Sequence, residues 1–316
     1  MEYRKLGSTD LKVSEMCFGA LPMGPLQANL SPEEGGTLLR QALESGINFV
    51  DTAALYGNYP QIAYALKDYQ GEAIIASKSV HPDYESVEKD IQEALKSLNR
   101  DYIDIFHLHA ARAERDVFEQ REGAFRCLLD YKEKGYIRAV GIATHNVAVV
   151  DRASEIPELD IVFPLVNKIA RGIVGGTREE MLAAIKKCQD AGKGLYAMKV
   201  LAGGNLIDDL LDSIKFGRNI DGISSIAIGM VKKKELDLNI KIFNNEKITE
   251  EMIPKAANSK KLFIWQAGCK KCGICINTCP NKALSMSEKG AEVNHDLCIL
   301  CGYCYAACPE FLIRLY

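Results

Sequence analysis

The sequence contains no apolar run approaching the roughly 20 residues that span a bilayer. It has no polybasic cluster and no basic stripe of the kind that follows nucleic acid or a charged membrane surface. The N-terminus, MEYRKLGSTD, is polar and lacks the apolar core of a signal peptide. A cytoplasmic protein with neither nucleic-acid nor membrane partners is the expectation. No G-x-G-x-x-G follows the first strand-like segment, which argues against a doubly wound dinucleotide-binding sheet. Cysteine is scarce over most of the chain: Cys17, Cys127 and Cys188 are the only three in the first 260 of 316 residues, and they read as ordinary core or surface thiols. The rest of the composition, 47% apolar and 26% charged with a net charge of -3, is that of a globular protein.

Eight strand-like segments are present: EMCFGA (15–20), INFVDTA (47–53), AIIASKS (73–79), YIDIFHLHA (102–110), IRAVGIAT (137–144), LDIVFPLVN (159–167), GLYAMKV (194–200) and GISSIAIG (222–229). They are near-continuous apolar runs, as expected of strands covered on both faces. Helical stretches lie between them. SPEEGGTLLRQALESG opens with Ser31 as N-cap, Pro32 at the first position and Glu34 closing a capping box. DYESVEKDIQEALKSLN places Val87, Ile91, Leu95 and Leu98 on one face. Eight such β/α units in about 250 residues predict a (β/α)8 TIM barrel, opened by a hairpin in YRKLGSTDLKVS. The boundary is expected within MIPKAANSKKLF (252–263), giving a barrel over 1–257 and a small α+β domain over 258–316.

The tail holds the other eight cysteines. Cys269, Cys272, Cys275 and Cys279, followed by Pro280, make C-x2-C-x2-C-x3-C-P. Cys298, Cys301, Cys304 and Cys308, followed by Pro309, repeat it. This run is the signature of bacterial two-cluster ferredoxins. Zinc usually takes two separated pairs of ligands, so two [4Fe-4S] clusters are expected rather than zinc or disulfides. Three closely spaced thiolates wrap one cluster, while the fourth, beside the proline, reaches the other. Cys269, Cys272, Cys275 and Cys308 would then hold one cluster, and Cys279, Cys298, Cys301 and Cys304 the second. ALSMSEKGAEVN (283–294) reads as two short strands.

In TIM barrels the chemistry sits at the C-terminal ends of the strands. Asp51, Lys78 and His109 end strand-like segments two, three and four, and Tyr56 follows the second in its loop. Here INFVDTAALYG, ASKS, DYIDIFHLHA and KGYIRAVGIATHN resemble the corresponding segments of the aldo-keto reductases over roughly residues 1–250, and the whole chain resembles their ferredoxin-fused branch. The resemblance implies an NAD(P)H-dependent oxidoreductase interconverting an aldehyde or ketone and its alcohol. Tyr56 would be the general acid, with its pKa lowered by Lys78. Asp51 would hold Lys78, and His109 would orient the carbonyl. His107, deeper on the same strand face, reads as a supporting core histidine.

For the nucleotide, the resemblance points to Gly19, Ala20, Asp51, Thr144 and Asn167, to Met198, Lys199, Leu201 and Gly203 in one loop region, and to Gly229, Met230, Lys232, Glu235 and Asn239 in another. Met198 stands where the family stacks an aromatic on nicotinamide, and Ala143-Thr144 where it has Ser-Asn. Glu235 stands where an arginine often meets a 2′-phosphate, so NADH is favoured over NADPH. The clusters are expected to exchange electrons with a redox protein partner. The alternative is an electron-transfer protein, or a ferredoxin-driven reductase using an additional flavin, in which the clusters carry the main function.

Overall fold

The computed structural model describes residues 1–111, 113–254, 261–310 and 312–315. The expected domain boundary, between 257 and 258, lies outside the described residues. Strands β1 (Tyr3–Lys5) and β2 (Lys12–Ser14) form the opening antiparallel hairpin. Eight parallel strands then close a barrel: β3 (Met16–Gly19), β4 (Phe49–Asp51), β5 (Ile74–Ser79), β6 (Ile103–His109), β7 (Ile137–Thr144), β8 (Ile161–Pro164), β9 (Gly194–Ala197) and β10 (Ile223–Gly229), with β10 pairing both β9 and β3. These are the eight segments expected from the apolar runs.

Helices α1 (Pro32–Glu44), α2 (Tyr59–Leu66), α3 (Tyr84–Leu98), α4 (Val117–Gln120), α5 (Glu122–Glu133), α6 (Val147–Ala153), α7 (Arg178–Asp190), α8 (Leu210–Arg218) and α9 (Lys233–Phe243) lie between or after the strands. Both halves of the Ser31–Glu34 capping box are formed at the start of α1. On α3 the buried stripe is Val87, Ile91, Ala94 and Leu98, with Leu95 only half-buried.

The two-residue period of a strand sorts each barrel strand into two faces. One face packs against the helices in a continuous apolar layer. The other fills the barrel with Cys17, Phe49, Ile74, Ala76, Ile105, Ala139, Ala143, Ile161, Phe163 and Tyr196, and Leu6, Leu11 and Val13 of the hairpin join this cluster. The same period carries inward-facing positions up each strand. Asp51 follows Phe49, Lys78 follows Ala76, and His107 and His109 follow Ile105.

The second domain has two small antiparallel sheets. β11 (Leu262–Ile264) pairs with β14 (Ile313–Leu315), and β12 (Leu284–Ser287) pairs with β13 (Gly290–Val293), as the sequence predicts for 283–294. Two one-turn helices, α10 (Ile274–Thr278) and α11 (Tyr303–Ala307), sit inside the cysteine motifs. Its core combines Leu262, Ile264, Ala283, Leu284, Ala291, Leu300 and Ile313 with Cys275, Cys279, Cys298 and Cys304.

Candidate active site and cysteine cages

Asp51 and Lys78 form a buried ion pair at the C-terminal mouth of the barrel, with Lys78 Nζ donating to Asp51 Oδ1 at 2.8 Å and to the Thr52 carbonyl at 2.5 Å. The second Asp51 oxygen accepts from Tyr196 Oη at 2.9 Å, and that hydroxyl lies 2.7 Å from His107 Nε2. His107 therefore supports the pair through Tyr196, which the sequence reading did not single out. Gly141 on the neighbouring strand makes room for it, since a Cβ there would stand 2.2 Å from His107 Nδ1. Burial pushes the Asp51 carboxyl up and the Lys78 ammonium down, and each charge opposes the shift of the other.

Tyr56 ends a single 3-10 turn, Ala54–Tyr56, which Gly57 terminates at φ 62°. Asn58 ties this loop down: its side-chain oxygen accepts from Thr52 Oγ1, and its amide donates to the Ala20 carbonyl. Lys78 Nζ is 5.0 Å from the centre of the Tyr56 ring, and the Tyr56 and His109 rings meet edge-on at 5.9 Å. The expected lowering of the Tyr56 pKa is not what this arrangement produces. Burial, then Tyr303 and Asp51, push the phenol well above its ordinary value, so it is held protonated. His109 is held neutral, first by burial and then by the Lys78 charge.

The nucleotide candidates divide. Met198 and Lys199 line the same cavity as Tyr56, Lys78 and His109. Thr144 does not: its hydroxyl faces the Ala110 carbonyl and accepts from the Asn146 amide, while the next residue, His145, lines the cavity. The Asn167 side chain is spent on both backbone groups of Arg171. The Glu235 carboxylate caps α9 through the Val231 and Lys232 amides, and Asn239 donates back to the Glu235 carbonyl. Gly19 and Gly229 pair at the ends of β3 and β10, and Ala20 donates to the Asp51 carbonyl. Met230 is buried and Leu201 half-buried. Lys232 stands at the N-cap of α9.

The eight tail cysteines line two cavities. Cys269, Cys272, Cys275 and Cys308 line the outer one; Cys279, Cys298, Cys301 and Cys304 line the inner one. This is the crossed arrangement expected from the spacing. Backbone amides point at sulfur: Lys271 and Ala291 at Cys269 Sγ, both 3.4 Å, Ala283 at Cys279 Sγ, 3.3 Å, and Leu312 at Cys308 Sγ, 3.5 Å. Such N–H groups favour thiolate sulfur, as iron–sulfur ligation requires. The donor sets and their surroundings fit iron–sulfur clusters.

The inner cage rests on the barrel mouth. Gln27 donates to the Leu300 carbonyl, Asn205 and Arg171 to the Cys298 carbonyl, and Arg171 also to that of His295. His145 and Asn281 interact across this junction. Gly203, at φ +70°, has the Ile299 carbonyl oxygen 2.0 Å from where its Cβ would be. Tyr303, from the Cys301–Cys304 motif, reaches furthest in. Its hydroxyl is 2.8 Å from His109 Nε2 and interacts with Tyr56, and its ring packs on Leu21, Leu26 and Ala53.

With Cys301 and Tyr303 in its wall, the cavity at the tetrad is about 20 Å³. That is room for roughly one water molecule, whereas small-molecule sites run to about 300 Å³ or more. Tyr303 takes up the space beside Tyr56 and His109 with the cluster domain seated. A groove of about 700 Å³ on the barrel's flank, between α7 and α8, contains none of the tetrad.

The model for the aldo/keto reductase family matches residues 15–219, and that for a 4Fe-4S dicluster domain matches residues 261–309. An uncharacterized oxidoreductase of Bacillus subtilis, YqkF, is 25% identical over 312 residues, covering 84% of this chain and 99% of that protein. The methylglyoxal reductase DkgA of Escherichia coli is 27% identical, over 63% of this chain and 70% of its own. Among solved structures, the putative aldo-keto reductase PA4992 of Pseudomonas aeruginosa superposes with a TM-score of 0.67 at 24% identity, covering 77% of this chain and 95% of its own. The holo form of aldo-keto reductase AKR11C1 from Bacillus halodurans gives 0.64 at 20% identity, covering 80% and 94%. These two share its fold. The chain belongs to the aldo/keto reductase family and carries a 4Fe-4S dicluster domain after the barrel.

Proposed function

We propose that the barrel interconverts a small aldehyde or ketone and its alcohol, with NAD(P)H as the cofactor that family membership suggests. The observation that carries this reading is the convergence of Tyr56, Lys78 and His109 on one cavity at the C-terminal ends of the strands, with Asp51 paired to Lys78 behind it. In the reducing direction, negative charge develops on the carbonyl oxygen. Tyr56, held protonated, supplies its proton there. His109, neutral and with Nε2 directed into the cavity, donates a hydrogen bond to the same oxygen. Lys78, fixed by Asp51 and the Thr52 carbonyl, places a positive charge behind the phenol that stabilises the phenolate left by proton transfer. Glu235 already occupies the amides at the start of α9, so a 2′-phosphate would meet a carboxylate there, and this favours NADH. The DkgA enzymes, named as methylglyoxal reductases, are consistent with small carbonyl substrates.

The test is turnover of a panel of small carbonyl compounds by anaerobic, cluster-loaded protein with NADH and with NADPH. Tyr56→Phe keeps the ring and removes the proton. It should lower turnover by roughly 10²–10⁴-fold. Unchanged turnover would place the proton donor elsewhere.

A second reading is favoured by one observation: Cys301 lines the tetrad cavity. On this reading two [4Fe-4S] clusters exchange electrons with a redox protein partner, and the inner one exchanges them with the barrel. Clusters move one electron at a time and carbonyl reduction needs two, so a flavin or similar centre would be required. Anaerobic mixing of NADH with the protein, first without and then with added flavin, distinguishes the two. Bleaching of the cluster absorbance at the rate of nucleotide oxidation supports direct exchange, and unbleached clusters during carbonyl turnover support the first reading.

A further inference from the structure

The two groups assigned above to the carbonyl oxygen are both engaged by a residue of the other domain. Tyr303 Oη lies 2.8 Å from His109 Nε2, and Tyr303 packs against the cluster that contains Tyr56 and interacts with its phenol. Its ring meets the His109 ring edge-on at 6.0 Å, much as the Tyr56 ring does from its own side at 5.9 Å. An oxygen held between a phenol and an imidazole nitrogen is what the proposed reaction requires of its substrate.

The surrounding contacts show that this is a built seat. Leu21, Leu26, Ala53 and Tyr56 form an apolar cluster on which the Tyr303 ring packs. Ile299 sits against the loop after β9, where Gly203 leaves no space for a side chain. Asn281 interacts with His145 at the same junction. Thus the loop after β9, expected to receive the nucleotide, already receives residues 298–301.

We propose that Tyr303 is an active-site residue contributed by the cluster domain, with its hydroxyl in the seat of the substrate's carbonyl oxygen. The docked domain and a nicotinamide–carbonyl pair then compete for one site. This rests on the assignment of the tetrad to carbonyl chemistry. In the docked form the barrel is closed to nucleotide and substrate; they enter as the 298–303 segment lifts. Apparent nucleotide affinity is therefore reduced by the fraction of molecules in the lifted form. Tyr303 thereby decides what reaches the tetrad, and it does so from a position two residues from Cys301 and next to Cys304.

The test uses the full-length, cluster-loaded protein under anaerobic conditions, with NADH as the probe. Tyr303→Phe removes the hydroxyl and keeps the ring; Tyr303→Ala removes both. Iron and sulfide content confirms that the clusters remain. A neutral hydrogen bond contributes about 1 kcal/mol, so NADH should bind about fivefold tighter to Tyr303→Phe than to the parent, and tighter again to Tyr303→Ala. Hydrogen exchange read by mass spectrometry should show amides 298–303 exchanging faster when NADH binds the parent protein. Equal or weaker NADH binding in both variants, or no binding in any of the three proteins, overturns the proposal. So does NADH binding that leaves exchange at 298–303 unchanged or slowed. Carbonyl turnover separates this from the functional reading. Turnover that is indifferent to Tyr303 would overturn the plug and leave the tetrad assignment standing. Tighter NADH binding without turnover of any carbonyl would do the reverse.

Discussion

In the barrel, Asp51, Lys78 and His109 hang from strands whose neighbours Phe49, Ala76 and Ile105 build a core without them. In the cluster domain, Cys275, Cys279, Cys298 and Cys304 are themselves buried members of the core. The first arrangement separates folding from chemistry. A barrel stripped of its tetrad would still close, because two apolar layers hold it. The second arrangement merges them. A chain of this size buries too little apolar surface to be more than marginal alone, and its missing stability has to come from metal–thiolate bonds. The junction between the two is where chemistry from both sides meets, at Tyr303, Lys199 and Cys301.

The strongest way to break this comparison is to remove the metal. Binding energies of structural metal sites are on the order of 10 kcal/mol. Anaerobic extraction of iron and sulfide from the whole chain should therefore unfold residues 261–315 and leave the barrel folded. Hydrogen exchange mapped along the chain, with far-ultraviolet circular dichroism through a thermal scan, reads both halves at once. Native protection in the stripped tail would show that its apolar residues suffice.

A smaller perturbation targets the junction. Gly203→Ala places a Cβ where the Ile299 carbonyl oxygen now lies and asks an L-residue to hold φ +70°. The left-handed conformation alone costs roughly 1–2 kcal/mol, and the clash adds to it. Amides 298–303 should lose protection while the strands of the barrel keep theirs. Unchanged protection at 298–303 would mean that the loop after β9 does not fix the docked domain.

The difference between the regions also governs how much could be read in advance. The strands, the capped helices and the crossed cysteine sets follow from local spacing. A strand end positions Asp51, Lys78 and His109, and a C-x2-C interval positions thiols, without reference to distant chain. Tyr196 was not legible because its partner Asp51 lies 145 residues away across the barrel. Tyr303 was hidden for the same reason, at 194 residues from His109, and because the motif spacing constrains cysteines and leaves the residues between them free. Thr144 shows a different failure. Ala143 faces the barrel interior, so its neighbour must face out, and a shift of one position along a strand exchanges the faces. The Tyr56 pKa was misjudged because burial under Tyr303 outweighs a nearby ammonium, and sequence gives no measure of that burial.

Acid should act on the junction before it acts on the barrel strands. His145 faces a cavity lined by Tyr56, Lys78, His109, Lys199, Cys301 and Tyr303. Burial, followed by the Lys199 charge, lowers its pKa from 6.5 to about 3, with Asn281 opposing. A base with a depressed folded-state pKa contributes stability that is complete above its free value. That contribution is lost progressively as pH falls below about 6.5 toward 3. With the domain lifted, His145 would regain water and its ordinary pKa, so at pH 5 docking should weaken by about 2 kcal/mol. His145→Gln should flatten this dependence in a pH series of exchange rates at 298–303. An equally steep loss in that variant would assign the effect to another group.

The mildest test compares the two cages with each other. Lys199 follows β9 in the left-handed region at φ 61°, an unfavourable conformation for a lysine. It lines the cavity with Cys301 and interacts electrostatically with Cys301, Cys298 and Asp51. Cys272 of the outer cage, by contrast, is exposed. Reduction makes a cluster more negative by one charge, and an adjacent half-buried ammonium stabilises that form. Lys199→Met should therefore lower the midpoint potential of the inner cluster and leave the outer one unchanged. A tenfold change in the one-electron equilibrium corresponds to about 59 mV, which is the size expected. Lys199→Arg, which keeps the charge, should restore most of the difference. A redox titration followed by electron paramagnetic resonance resolves the two signals. If both clusters shifted together, or neither moved, Lys199 would be acting through the fold and not through its charge. The inner cage would then be no more coupled to the barrel than the outer one.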